Sequence, residues 1–343
     1  MNEGYVDVLH DRPALMKMLC ELNLAGDGDE IHVQMLTGGV SSNIFRIDLH
    51  SGPVCVKQAL PKLKVEKEWH VPTNRVLAEI DWLTTAARIV PGNVPRILGA
   101  DRVRGAFVME FLAGLPNWKV ELLAGHVEQS VGIQVASVLG QMHQSTASDP
   151  SIAREFAHDS NFYALRLEPY LLEAARVHPD LAVQLTRLVE TTKSTRLALV
   201  HGDISPKNIL LRGDSPILLD AECAWYGDPA FDLAFLLNHT LLKSVHVPDC
   251  ASAFEDLYLN IVATYMQRVS WEDPCGFDER CARLLPGLLL ARIDGKSPVE
   301  YLTQIDRARI RVAARTLVLQ PPSRLGDLLA KWKYALGFPH DVR

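Results

Sequence analysis

At Gly114 the hydrophobic period of this chain changes. Ahead of it, short apolar runs with strand-like alternation surround helical patterns; beyond it, apolar residues recur every three or four positions. His32 to Leu36, Ile44 to Leu49 and Val54 to Val56 read as three antiparallel strands, the last turned by Ser51-Gly52-Pro53. Leu15, Met18, Leu19 and Leu22 share one face of a helix predicted over 12–25. A second helix is expected from about Thr73 to Ile89, stopping before Pro91-Gly92, with strands at Arg96 to Ala100 and Ala106 to Phe111. That order is the content of a small α+β unit. Val131, Val135, Val138, Leu139 and Met142, and further periodicity from Leu165 to Val189, make the remainder mainly helical. A chain of 343 residues exceeds the usual core of roughly 100 to 200, so two lobes are expected. Their predicted extents are 1–108 and 116–343, with 109–115 as the hinge.

Charge and composition exclude several roles. The net charge of −6 supplies no positive field to hold nucleic acid. Cys20, Cys55, Cys223, Cys250, Cys275 and Cys281 form no CxxC pair or zinc spacing, so reduced thiols and a cytoplasmic location are expected. The N-terminal residues lack an apolar signal core, and the run Leu284 to Ala291 is short and interrupted by Pro286-Gly287, so no membrane span is expected.

His201-Gly-Asp-Ile-Ser-Pro-Lys-Asn208 carries the chemistry. It places a carboxylate and a carboxamide five residues apart, directly after the strand candidate Leu197 to Val200. Asp203 can accept the proton of an attacking hydroxyl, and Asn208 can offer an amide oxygen to Mg²⁺ on the phosphates of ATP. Asp220, at the end of the strand candidate Ile217 to Leu219, adds a charged oxygen for the same metal, and Glu222 a second. Taken singly, each of these residues is more simply a turn former or helix cap. As a set, followed by Gly227-Asp-Pro-Ala-Phe-Asp232, they point to phosphoryl transfer.

The segment His201 to Asn208 resembles the HGDxxxxN signature of the aminoglycoside phosphotransferase and choline kinase superfamily. Val54-Cys-Val-Lys57 is similar to that family's third strand, and Lys57-Gln-Ala-Leu-Pro61, Arg75 to Leu83, Asp220-Ala-Glu222 and Trp225-Tyr-Gly227 to methylthioribose kinases. Pro206-Lys-Asn208 departs from the loop ending of those kinases. The resemblance implies a protein-kinase-like two-lobed fold that moves the γ-phosphoryl group of ATP to a hydroxyl of a small molecule. It implies Lys57 as the phosphate-binding lysine and Glu79 as its helix partner, ahead of Asp81, which helical geometry turns about 200° away. Backbone N–H groups around Gly39, Ser41, Ser42 and Asn43 would cover the phosphates, and the Glu110 carbonyl and Leu112 amide would hold adenine at the hinge. The acceptor stays open among a sugar such as methylthioribose, an amino alcohol and an aminoglycoside; a homodimer is also left open.

Other residues weigh both ways. Asp232 is expected to hold the loop through backbone N–H groups, and His143 to be a packed core histidine. Trp225 and Tyr226 read as core aromatics before substrate contacts, and Arg166 with Tyr170 and Arg292 to Lys296 as solvated surface before acceptor contacts. Asp203, Glu222 and Asp228 can form an acidic floor that favours a cation. Cys55 shares a face with Lys57, whose charge would activate its thiol; the competing reading is a packed, inert thiol. Only twelve residues separate Asp220 from Asp232, too few for the segment that docks a protein substrate. Two other classes are a degenerate kinase fold used for nucleotide sensing and a hydrolase with Asp203 as nucleophile. Retention of Lys57, Asp203, Asn208 and Asp220 argues against the first, and the N-terminal strands against the second.

Overall fold

The computed structural model describes residues 7–26, 28–36, 41–60 and 75–338. The chain divides into two compact units: residues 1–115 with 220–223, and residues 116–219 with 224–343.

The first unit is built on a five-stranded antiparallel sheet. Helix α1 (Arg12–Glu21) starts where Asp11 accepts from the Ala14 N–H, satisfying an orphan donor. Strands β1 (His32–Met35), β2 (Ser42–Leu49) and β3 (Gly52–Ala59) precede helix α2 (Arg75–Ile89), and β4 (Ile97–Asp101) and β5 (Ala106–Glu110) follow it. The sheet order is β1-β2-β3-β5-β4. Leu15, Met18 and Leu19 of α1 share a core with Ile47, Val54, Val56 and Val108. Strand β3 outruns its apolar centre because β2 and β5 flank it on both sides and pair its backbone along its length, whatever the side chains. Ile44 and Phe107 are thereby the cross-strand neighbours of Lys57.

The second unit is mainly helical. Helices α3 (Trp118–Leu123), α4 (Gln129–Thr146), α5 (Pro150–Glu155), α6 (Asp159–Phe162), α7 (Glu173–Val177) and α8 (Ala182–Ser194) come first. Strands β6 (Ala198–Val200), β7 (Ile209–Arg212), β8 (Ser215–Leu218) and β9 (Trp225–Gly227) form two small antiparallel pairs, β6 with β9 and β7 with β8. Helices α9 (Pro229–His246), α10 (Ala251–Met266), α11 (Pro274–Asp294), α12 (Gln304–Leu319) and α13 (Leu325–Leu336) complete the unit. The predicted stripe of α4 is buried, and Gly132 on that helix leaves room for Leu257 of α10, which an added Cβ would strike.

The helical pattern from Leu165 to Val189 is interrupted in the structure. Tyr163–Leu172 is a π-helix with Pro169 inside it, followed by α7, a short 3-10 turn and α8. Proline removes one backbone donor, and the wider π turn accommodates that loss. Apolar periodicity survives the change of helix type, so the sequence pattern does not reveal it. Among the described residues, no helix is long and apolar enough to cross a membrane.

Candidate active site

In the first unit, Lys57 on β3 gathers two carboxylates. Its ammonium lies 2.8 and 2.7 Å from the two oxygens of Glu79 on α2, and 2.5 Å from Asp220 Oδ1. Burial works against the Lys57 charge, but Asp220, Glu79 and Glu222 outweigh it and hold its pKa above the ordinary lysine value. Burial also pushes the Glu79 carboxyl up to about 7, against the opposing pull of Lys57. Asp220 adopts φ +67°, the left-handed region that few non-glycine residues enter. Asp81 lies elsewhere on α2, paired with Arg102 at 2.7 and 2.8 Å.

Arg75, which the motif reading did not single out as a site residue, is fully buried at the start of α2. Its Nε donates to Glu222 Oε2 at 2.9 Å, and its Nη2 donates to the carbonyls of Ser41 and Leu60. One guanidinium thus ties the start of β2 and the end of β3 to Glu222. Arg75→Met leaves that carboxylate buried without its cation, so it should destabilise the protein by about 3–5 kcal/mol, read as a fall in the urea midpoint. Adding Glu222→Leu should recover part of the loss. Ser42 and Asn43 are buried at the start of β2, where they pair with Ala59 and Gln58. Gly39 lies outside the described residues. Glu110 ends β5, its N–H donating to the Arg96 carbonyl and its carboxylate accepting from the Arg96 N–H, both at 2.9 Å; Leu112 is half-buried two residues on.

The activated-thiol reading of Cys55 fails. Burial pushes this thiol up to about 12, more than the Lys57 charge can offset, so it is the packed cysteine of the competing reading. At pH 8 its alkylation should be roughly 10³-fold slower than that of a free peptide thiol, with exposed Cys275 labelled first. Peptide mass spectrometry after timed labelling checks both.

In the second unit, the loop after β6 is pinned from several sides. Asp232, in the first turn of α9, accepts from the His201 N–H at 2.7 Å and the Gly202 N–H at 2.8 Å, as expected from the sequence. His143 lies between Asp232 and the Tyr265 hydroxyl, at 3.2 and 2.6 Å, a buried structural histidine. His201 Nδ1 accepts from the Asp203 N–H, so the neutral ring donates from Nε2 to the Leu219 carbonyl, each at 3.1 Å. Gly202 turns the backbone at φ +80°.

Asp203 is buried, and three contacts fall on its Oδ2: Arg166 Nη2 at 2.9 Å, Asn208 Nδ2 at 2.9 Å and Lys207 Nζ at 3.2 Å. Arg166 reaches it from the π-helix and also donates to the Gly202 carbonyl at 2.5 Å. The expectation of solvated surface is therefore wrong for Arg166 and Tyr170, which are buried, and for Arg292, which bonds Ser297 Oγ at 3.0 Å. Lys296 is partly covered and pairs with Glu168 at 2.8 Å. Periodicity marks a helix face, but the counter-ion that makes burial of an arginine affordable lies far along the chain. The Leu219 N–H donates to the Asn208 carbonyl at 2.9 Å, and the chain continues directly into Asp220.

Asp228 belongs to no acidic floor. It is buried, caps α9 through the Ala230 N–H at 3.0 Å and pairs with Arg280 at 2.9 Å. Trp225 stacks on Phe162 with ring centroids 4.4 Å apart, and the Tyr226 hydroxyl donates to the Leu197 carbonyl at 2.9 Å, so both serve the core.

Comparison with known proteins agrees with this architecture. The methylthioribose kinase of Erwinia tasmaniensis is 28% identical over 234 residues, 60% of this chain and 58% of that protein. The chain spans less than two thirds of the length of the curated relatives it matches first. A crystal structure of a choline/ethanolamine kinase family protein from Mesorhizobium loti superposes with a TM-score of 0.52 at 18% identity, over 95% of this chain and 99% of that one. Amicoumacin kinase hAmiN, in complex with AMP-PNP, Ca²⁺ and Ami, superposes with a TM-score of 0.51 at 15% identity, over 85% and 90%. These likenesses establish a shared protein-kinase-like fold. Because residues 32–269 of its 343 match the model of the phosphotransferase enzyme family, the chain belongs to that family.

Proposed function

We propose that the protein transfers the γ-phosphoryl group of ATP to a hydroxyl of a small molecule. The observation that carries this reading is Asp203, buried on a loop pinned by Asp232, with Arg166, Lys207 and Asn208 fixing its carboxylate. A carboxylate held in one orientation accepts the acceptor's proton as the hydroxyl attacks, without reorganising first. Lys57, aligned by Glu79, holds the nucleotide phosphates, and backbone N–H groups at Gly39, Ser41, Ser42 and Asn43 cover them. Glu110 and Leu112, within the hinge at 109–115, hold adenine through backbone groups, and residues 1–108 form the nucleotide lobe.

Asn208 and Asp220 would hold Mg²⁺, and Glu222 would add a second carboxylate. Asn208 spends its amide nitrogen on Asp203, which leaves its amide oxygen as the group to offer a metal, and Asp220 brings the charge. Among the described residues there is no group of three or more His, Cys, Asp or Glu to cage an ion. That suits a cation taking one or two side chains together with phosphate oxygens. Bound there, Mg²⁺ would neutralise charge developing on the phosphates.

The test is ADP release with ATP and Mg²⁺ across a panel of sugars, amino alcohols and aminoglycosides, with the phosphorylated acceptor identified by mass. Acceptor-dependent ADP release supports the reading. Tight nucleotide binding without transfer to any acceptor would favour a sensing module instead.

A further inference from the structure

Helix α9 is buried on every side from Pro229 to Val245. Such a helix is expected to be apolar all round, yet it carries Asn238, His239, Thr240, Lys243 and Ser244. The hydroxyls of Thr240 and Ser244 bond back to the carbonyls of Leu237 and Leu241, each at 2.8 Å. The remaining three side chains are not satisfied that way. Both amide atoms of Asn238 and the Nδ1 of His239 find no hydrogen-bond partner among the described residues. Lys243 forms no ion pair among them; its ammonium sits 5.1 Å from the centre of the Tyr301 ring. The Tyr301 hydroxyl and the Arg292 Nε are likewise unpartnered among the described residues.

Native proteins rarely leave this many buried polar groups unpaired in one place, and a buried amine without a counter-ion is costlier still. The cluster also leads to Asp203. The Arg166 guanidinium that bonds Asp203 lies 5.6 Å from the Tyr170 ring and 5.8 Å from the Phe235 ring. His239 is 5.2 Å from the Phe235 ring, and Arg292 is 5.7 Å over that of Tyr170. Burial, then Lys119 and Arg292, push the Lys243 amine down to about 7, against a weaker pull from Glu300. Glu300 is itself paired with Lys119. Burial and the cations Lys243, Arg292, Lys207 and Lys119 hold His239 well below the ordinary histidine value.

Resting on the phosphotransferase reading, we infer that the acceptor is a polyhydroxylated anion, whose carboxylate or phosphate group meets Lys243 and Arg292 while its hydroxyls meet Asn238, His239 and Tyr301. Such a ligand supplies acceptor atoms and negative charge where both are missing. An aminoglycoside or amino alcohol brings a like charge toward Lys243 and is rejected.

The experiment uses the full chain with Mg²⁺ and AMP-PNP for calorimetric binding, and with ATP for transfer. The probes are neutral ribose and methylthioribose, anionic ribonate and ribose 5-phosphate, and cationic ethanolamine and kanamycin. At least one anionic member should bind about 30-fold or more tighter than either neutral sugar, and the two anions separate carboxylate from phosphate recognition. Lys243→Met should erase that preference without lowering the melting temperature, because it removes a buried amine that forms no ion pair among the described residues. Equal or tighter binding of the neutral or cationic probes, failure of both anions to bind, or an unchanged preference in Lys243→Met overturns the inference. Phosphorylation of a neutral or cationic probe in preference to the anions also overturns it, and leaves the kinase reading standing. Selective, Lys243-dependent binding of an anion without transfer supports the inference and overturns the kinase reading instead.

Discussion

Asp203→Asn should lower acceptor phosphorylation by about 10² or more while nucleotide affinity stays within about twofold of the parent protein. The substitution keeps the size of the side chain and removes its capacity to take a proton. Arg166 and Lys207 then face a neutral amide, so part of the loss reflects a carboxamide that is held less firmly. Arg166→Lys separates the two effects, because lysine keeps the charge but cannot reproduce the guanidinium's simultaneous bonds to Asp203 and the Gly202 carbonyl. It should cost less than Asp203→Asn. Single-turnover phosphorylation of a confirmed acceptor measures the chemical step, and titration with AMP-PNP measures binding. Near-parental turnover of Asp203→Asn would remove Asp203 from the role of base.

Asp220→Ala should weaken Mg²⁺-dependent nucleotide binding by at least about 100-fold. Loss of a group merely supporting a metal ligand already costs 10–100-fold, and Asp220 is assigned as a direct one. Lys57 keeps Glu79 as a partner at 2.7 Å, so the ammonium is not left uncompensated. The backbone needs its own control, since φ +67° at this position strains alanine more than asparagine. Asp220→Asn should restore the melting temperature lost to that strain but not the metal affinity. Calorimetric titration of AMP-PNP at several Mg²⁺ concentrations reads the outcome, and unchanged Mg²⁺ dependence in both variants would exclude Asp220 as a ligand.

Legibility in the sequence followed the range of the interactions. Strand-strand-strand-helix-strand-strand could be read from apolar spacing because each residue reports on neighbours two to four positions away. The loop from His201 to Asn208 was readable because its groups are brought together within eight positions. Of the hairpin formed by β7 with β8, only β8 is legible, as the candidate Ile217 to Leu219; β7 and β9 are too short to establish a period.

By itself, then, the sequence determined the class of fold and singled out the loop from His201 to Asn208 as the candidate site. The tertiary structure decided which charges could be buried. Arg75 meets Glu222 across 147 positions, Arg166 meets Asp203 across 37, and Lys243 is buried without an ion pair among the described residues, the nearby Glu300 being paired with Lys119. Nothing in local periodicity separates these cations from solvated ones. Desolvation makes an unpaired charge costly, and whether a counter-ion offsets that cost depends on segments the chain brings together only when it folds.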